Sequence, residues 1–423
     1  MSNELKRFTG GAFARLATRL AFAALSLASG FAGSARADMV TEWNSTATTI
    51  SAAKEKRAAA VTVVDTAYVH AAIYDAVNAI ERRFTPYAVV PSSRPPAGTS
   101  AEAAAASAAY HVLLRMFPNH QVFLDEKYAH SLAQVPDGKP KADGIALGSE
   151  IAGKFMDLRS GDGWNAPVAF TPASGPGAWQ PTSGPPVAPW MALMRPFALS
   201  TPSQFRAEGP PALGGAQWAA DFEETKRFGA LNGSARTPEQ TLIGRFYTEH
   251  TGVQYARVLR DFAAQQGLGL ADSARLFAML YVAGADSLIA GMDSKYHFAF
   301  WRPVTAIRAG DSDGNDATTG DPNWTPLAAT PGHPEYPAAH GCLTAAWAET
   351  LRAFFETKRV RITLTSAVTG SARTFENTDD LIQEIIDARI FGGMHYRTSG
   401  VHGVVIGRKV AHWVTGNYFR PVF

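Results

Sequence analysis

The chain has 423 residues, of which 46% are hydrophobic, 11% aromatic and 18% charged, with a formal net charge of +2. This composition suits one large or two medium globular domains and excludes a chain that is disordered along most of its length. The single cysteine, Cys342, excludes an intrachain disulfide and reads as a small buried apolar residue or, alternatively, a reactive thiol.

The first 37 residues read as a removable leader. Lys6, Arg7, Arg15 and Arg19 make a basic start, Leu20 to Gly33 is small and apolar, and Ala35-Arg36-Ala37 fits a cleavage site before Asp38. This predicts a periplasmic or secreted protein, with an uncleaved anchor or an ordinary helix as the alternative. The leader holds five of the 39 Lys/Arg and one of the 37 Asp/Glu, so the remainder carries a net charge of −2. No overall basic field is left to bind nucleic acid.

Beyond the leader the pattern is helical. Apolar residues recur at helical spacing from Ala58 to Ile80. Thr99 and Glu102 suggest a capping box before an Ala-rich helix running toward Met116, and helices follow over Gln121 to Gln134 and Ala142 to Leu158. From Gly161 to Gly215 the chain is rich in Pro, Gly, Ser and Trp. Trp179, Trp190, Met191, Met194 and Phe197 predict ordered irregular chain that packs down, and a loop this long is a candidate rim for a site.

Helices resume at Gln217. Thr237-Pro238-Glu239-Gln240 combines a capping Thr, Pro at the first helical position and Gln three residues after the cap. Further helices are expected near Gly252 to Gln266 and Ser273 to Phe300. A loop from Ala309 to Pro337 precedes a helix over Gly341 to Thr357. Val360 to Leu364 reads as a short strand or hairpin arm, and helices near Thr378 to Ile390 and Gly400 to Thr415 finish the chain. Past the leader, the segment closest to a membrane span is Met279 to Met292, which Asp286 interrupts, so no span is expected.

Three clusters in the last third carry chemistry. Lys295 and Arg302 lie seven residues apart, two turns of one helix that Pro303 would end, and so share a face. Such a pair either holds an anion or is a solvated helix face. In His333-Pro-Glu-Tyr-Pro337-Ala-Ala-His340-Gly341, a Pro-bounded loop delivers His340 to a helix start, where free N–H groups favour an anion. His340 is placed there for proton transfer, or else as a cap or core histidine. In Arg389-Ile-Phe-Gly392-Gly393-Met-His395, Arg389 supplies a fork of donors suited to a tetrahedral oxyanion, or a cation at a helix C-terminus. The glycines allow close backbone approach near His395.

In this order, the clusters resemble the three motifs of the vanadium-dependent haloperoxidases and the related type 2 phosphatidate phosphatases (acid phosphatases), K-x6-R-P, P-S-G-H and S-R-x3-G-x-H-x3-D. Lys295, Arg302 and Pro303 fit the first, Pro337 and His340 the second, and Arg389, Gly393 and His395 the third. The run His70 to Ile80 and the segment Val40 to Asn44 also resemble the soluble bacterial branch. His402, five residues after Arg397, offers a rival register but lacks the six-residue spacing and the preceding Gly. The remaining helical histidines read as packed or solvated.

The resemblance implies an all-α fold of two packed helical bundles, an N-terminal region over 38–235 and a site-bearing bundle over 236–423. It implies vanadate held by Lys295, Arg302, Arg389 and the N–H groups of Ala339 and Gly341, with His395 as the metal ligand. His340 would be the acid–base residue and His333 a residue tuning halide or peroxide, or else a solvent-facing loop histidine. The implied reaction is oxidation of a halide such as bromide by hydrogen peroxide, with small organic acceptors, the metal serving as a Lewis acid. Family habit implies a homodimer. The same residues suit a second reading, hydrolysis of phosphate monoesters through a phosphohistidine on His395 with no cofactor. A non-catalytic oxyanion binder is the third. The chain departs from the motifs at Ala338, which replaces a Ser hydroxyl, and at Ala339, Ala388 and Ser399. Ser399 stands where an Asp would orient the metal-binding histidine.

Overall fold

A computed structural model describes residues 38–182 and 184–422, so the leader expected over 1–37 lies outside the described residues. The helices are α1 (Met39–Thr48), α2 (Ala59–Glu81), α3 (Ala101–Met116), α4 (Gln121–Ala133), α5 (Lys139–Leu158), α6 (Ala216–Gly229), α7 (Pro238–Phe246), α8 (Thr251–Gln266), α9 (Leu270–Phe298), α10 (Pro303–Arg308), α11 (Ala339–Phe355), α12 (Thr378–Phe391) and α13 (Arg397–Asn417). The hairpin arm is real. Strand β1 (Ile362–Ser366) pairs antiparallel with β2 (Ser371–Phe375), and this is the sole sheet among the described residues. The fold is thus all-helical apart from one small ribbon.

The organising element is α9. Every residue from Leu276 to Lys295 is buried, because the helix is surrounded by α2, α11 and α13, is apolar on most of its surface, and has its buried Asp286, Asp293 and Lys295 held by polar partners. By length and composition α9 is long and apolar enough to cross a membrane, with a window of mean hydropathy 1.3, but that window is entirely buried by the rest of the protein. Helix α13 lies so close to α11 that a Cβ at Gly403 would sit 2.4 Å from the Ala338 carbonyl oxygen. The glycine fixes the start of α11 against its neighbour.

Helix starts follow local chemistry. Thr237 and Gln240 form the expected reciprocal capping box. The cap of α3 is Ser100, whose side chain accepts from Ala103 N at 3.1 Å, and not Thr99, whose hydroxyl turns back to Pro96 O. The irregular chain after α5 is ordered as its aromatic content predicted. Trp179, Trp190, Met191, Met194 and Phe197 are all buried. Asp286 on α9 anchors it by accepting Phe197 N, Ala198 N and Leu199 N at 2.6, 2.7 and 2.8 Å. Arg206 adds a bidentate pair with Asp293 on the same helix.

One expectation fails where it matters for the site. Lys295 and Arg302 do not share a helix. Helix α9 ends at Phe298, Ala299 takes a left-handed conformation (φ 44°), and Arg302 is the extended N-cap of α10, with Pro303 in its first turn. Pro303 starts a helix here and does not end one, in keeping with proline's missing N–H at a position that needs none. The intervening residues are held by backbone pairing. Trp179 N donates to Ala299 O, Trp301 N to Gly177 O and Glu335 N to Phe300 O. Two loops therefore grip the linker between the two cations.

Candidate functional site

Lys295 is fully buried near the C-terminus of α9. Its Nζ donates to Pro334 O at 2.9 Å and Glu335 O at 2.7 Å. Arg302, also fully buried, reaches under the same loop. Its Nε donates to His333 O at 2.9 Å, Nη1 to Met394 O at 2.8 Å, and Nη2 lies 3.0 Å from His333 Nδ1. Arg389, in the last turn of α12, donates from Nη1 to Tyr247 O at 3.0 Å and touches the Met394 sulfur with Nη2. Met394 thus joins two guanidinium groups, one through its carbonyl and one through its sulfur.

Among the described residues, none of these three cations forms an ion pair. Burial is the first cause pushing down the proton affinity of each. It takes Arg302 to about 10 and Arg389 to about 9, with Arg302 adding repulsion at Arg389. Lys295 falls well below its ordinary value from burial and then from Arg302. Donors remain unused. Arg389 Nε is buried without a hydrogen-bond partner, and Lys295 has spent two of its three protons.

His395 completes the cluster. Its Nδ1 lies 2.8 Å from Glu335 Oε1, and its Nε2 lies 3.2 Å from Arg302 Nη1. An ionised carboxylate only accepts and a guanidinium only donates, so the network assigns the proton to Nδ1 and the lone pair to Nε2. Glu335 is fully buried and also accepts Tyr396 N at 3.1 Å. Burial raises its carboxyl to about 7 against the pull of Lys295 and Arg302. Ser399 favours the ionised form from nearby, yet its Oγ and Glu335 Oε2 each lack a well-formed hydrogen bond. Gly393, at φ 73°, brings this turn onto α6, where a Cβ would lie 2.4 Å from Gly229 O. Close approach near His395 is therefore real, though it is made to a helix.

His340 occupies the first turn of α11, and its Nε2 shares a 2.8 Å hydrogen bond with Thr251 Oγ1 at the start of α8. Burial, then Arg389, Lys295 and Arg302, lower its proton affinity well below the usual histidine range. The Ala338 cap has no side-chain acceptor, and the first backbone bond of the helix is Cys342 N to Ala338 O. The N–H groups of Ala339, His340 and Gly341 consequently have no partner among the described residues. His333 and His395 are likewise pushed well below the ordinary range, burial first and the neighbouring cations next.

A cavity of about 300 Å³ opens onto this cluster. Its lining combines Thr251, His333, Ala339, His340 and His395 with the apolar Ala58 to Val61, Leu288, Met292 and Leu343. Val187 and Ala188 of the long irregular loop, the candidate rim, also line it, with Val187 N bound to Gly332 O at 2.8 Å. Lys295, Arg302, Arg389 and Gly341 are not among its lining residues, but Arg302 is hydrogen-bonded to two that are, His333 and His395. The structure therefore brings all the sequence-selected side chains into one region. It adds Glu335 and Thr251, which sequence reasoning missed. Glu335 carried one usable signal, being the only acidic residue between Asp321 and Glu349. Thr251 carried none. His402 pairs with the Tyr336 hydroxyl and stays outside the cluster.

Comparison with known proteins finds similarity in the C-terminal part of the chain and in the fold. Residues 275–422 match a family model described as the VCPO second helical-bundle domain. Vanadium chloroperoxidase of Curvularia inaequalis is 28% identical over an alignment covering 40% of this chain and 34% of that protein. The chain thus spans about a third of that relative's length. A crystal structure of the first bacterial vanadium-dependent iodoperoxidase superposes with a TM-score of 0.76 at 22% identity, covering 91% of this chain and 96% of the other. A holo-type bacterial vanadium-dependent chloroperoxidase gives 0.68 at 17% identity, with 84% and 90% covered. At these identities the superpositions establish a shared fold.

Proposed function

We propose that the chain, whose residues 275–422 match the VCPO second helical-bundle model, is a vanadate-dependent haloperoxidase, oxidising a halide, bromide among them, with hydrogen peroxide. The observation that carries this reading is the group Lys295, Arg302 and Arg389, three buried cations with no ion pair among the described residues. Buried charge of one sign is costly unless a counterion joins it. The unused donors of Lys295 and Arg389, together with the free N–H groups at the start of α11, fit a tetrahedral oxyanion.

Vanadate fits this donor set because His395 also offers an unprotonated Nε2 as a ligand. When bound, vanadate supplies a Lewis acid that activates peroxide without a change in metal oxidation state. The protein's part is binding, orientation and proton transfer. Lys295, Arg302 and Arg389 hold the oxyanion's charge, and Ala339 and Gly341 add backbone donors. His340, held neutral and fixed by Thr251, accepts a proton from incoming peroxide and returns it to departing water. The balance is one halide, one peroxide and one proton giving hypohalous acid and water. The apolar walls limit competing water around the reacting groups. His333, which lines the cavity beside Arg302, is the residue we assign to meet halide or peroxide.

The test is bromination of a phenol dye by the purified protein with peroxide and bromide, with and without orthovanadate, beside p-nitrophenyl phosphate hydrolysis without vanadate. Bromination that requires vanadate and vanishes in His395→Ala is expected. Phosphate release without bromination would transfer the site to the phosphatase reading. Vanadate binding with neither activity would leave a non-catalytic oxyanion binder.

A further inference from the structure

The Glu335 carboxylate is placed for a task the motif pattern leaves open. Its backbone is fixed independently of its side chain, because Glu335 N donates to Phe300 O at 2.9 Å and Glu335 O accepts Lys295 Nζ at 2.7 Å. Prolines 334 and 337 restrict the chain on both sides. From that clamp Oε1 takes both His395 Nδ1 and Tyr396 N, so the ring and the backbone that carries it are bound to one oxygen. On α13, one turn beyond His395, Ser399 is buried with no well-formed hydrogen bond to its hydroxyl, and that turn carries no acidic side chain.

We propose that Glu335, from the loop before α11, is the positioning residue that holds His395 with its proton on Nδ1 and its Nε2 lone pair presented to vanadate, in place of a carboxylate on α13. This rests on the vanadate reading of the site. A competing role is simple charge balance, since Glu335 leaves a net charge of +2 with Lys295, Arg302 and Arg389. The two roles have opposite consequences. Removing the charge strengthens binding of every dianion if Glu335 only balances charge. If it orients the ring, vanadate, which bonds to the imidazole nitrogen, weakens, while sulfate, which does not, is unchanged or tightens. Loss of a carboxylate behind a ligating histidine weakens metal affinity by about tenfold to a hundredfold.

The experiment measures orthovanadate and sulfate binding to the full-length protein by calorimetry, in the wild type, Glu335→Gln, Glu335→Asp and Glu335→Gln/Ser399→Asp. Imidazole 15N shifts report the His395 tautomer. Expected are a vanadate loss of about tenfold or more in Glu335→Gln with sulfate unweakened, a mixed His395 tautomer, and recovery when Ser399→Asp is added. If Glu335→Gln does not fold, Glu335→Asp, which withdraws the oxygen by one methylene, is expected to show the same selective loss. Vanadate and sulfate changing by the same factor, or an unaltered His395 tautomer, would overturn the assignment. A wild type with no preference for vanadate over sulfate would instead defeat the functional reading, and the assignment with it.

Discussion

Replacing Arg389 by Met should stabilise the anion-free protein while abolishing its response to oxyanions. The guanidinium is buried, unpaired at Nε, and lowered from 12.5 to about 9 by burial and then by Arg302. At about 1.4 kcal/mol per unit, the anion-free fold bears a penalty on the order of 5 kcal/mol for keeping it charged. The sign is set by a folded value below the unfolded one. The penalty is complete at pH below about 9 and fades as pH rises toward 12.5, so an assay at pH 7 sees all of it. The variant loses one charge-assisted bond, to Tyr247 O, worth about 1.5–3 kcal/mol. The net gain is about 2–3 kcal/mol, or roughly 2–4 °C of melting temperature for a chain of this length at about 2 cal/mol/K per residue. Scanning calorimetry in anion-free buffer and with vanadate or phosphate should show the order reversing. Ligand at a hundred times Kd adds about 2.7 kcal/mol to the wild type and nothing to the variant. A variant that melts below the wild type without anion, or that shifts with anion as far as the wild type, would refute the claim that Arg389 is strained for want of a counterion.

Other perturbations separate the roles of neighbouring groups. Thr251→Val removes the hydroxyl beside His340 Nε2 at nearly constant volume. Turnover should fall about tenfold and the pH–rate profile should move, with vanadate affinity nearly unchanged. An unmoved profile would show that Thr251 does not position His340. Ala338→Ser restores a hydroxyl at the cap of α11 and should tighten vanadate by about one charge-assisted hydrogen bond, roughly tenfold or more by calorimetry. A raised melting temperature with unchanged affinity would mean that the hydroxyl caps the helix instead. Asp286→Asn puts an amide donor against backbone N–H groups and should cost about 2–4 kcal/mol, seen as a lower melting temperature and faster protease cleavage between residues 161 and 215. Burial raises Asp286 from 3.8 to about 6, so its contribution to wild-type stability should fall as pH rises across that interval. The variant should lack that slope, and a slope that survives the substitution would assign it elsewhere.

The sequence made the cast of the site legible because its members sit in short segments whose internal spacing is fixed. The all-helical fold was legible for a similar reason, since α2, α9 and α11 declare themselves by local periodicity and α7 by its cap. What was illegible is everything decided by contacts between distant segments. The shared helix face assigned to Lys295 and Arg302 failed because proline ends a helix or begins one with equal local logic, and Ala299 gave no glycine to mark the break. Glu335 was invisible as a partner of His395 because the two lie 60 residues apart and are joined by a loop without periodicity. Thr251, 89 residues before His340, is the same kind of case.

These non-local contacts explain how like charges can be kept together at all. Lys295, Arg302 and Arg389 repel one another, and a flexible site would relax by letting them part. Here each is fastened by carbonyl oxygens from another segment: Lys295 by the 334–335 backbone, Arg302 by His333 and Met394, Arg389 by Tyr247. The carbonyls orient the donors without neutralising them. Burial and the same positive field also lower the proton affinity of His340 and His395. On the proposed function, an arriving oxyanion would do two things at once. It would relieve the repulsion among the cations and raise the proton affinity of His340, so that the proposed acid–base group could hold a proton once there is an oxyanion for it to serve.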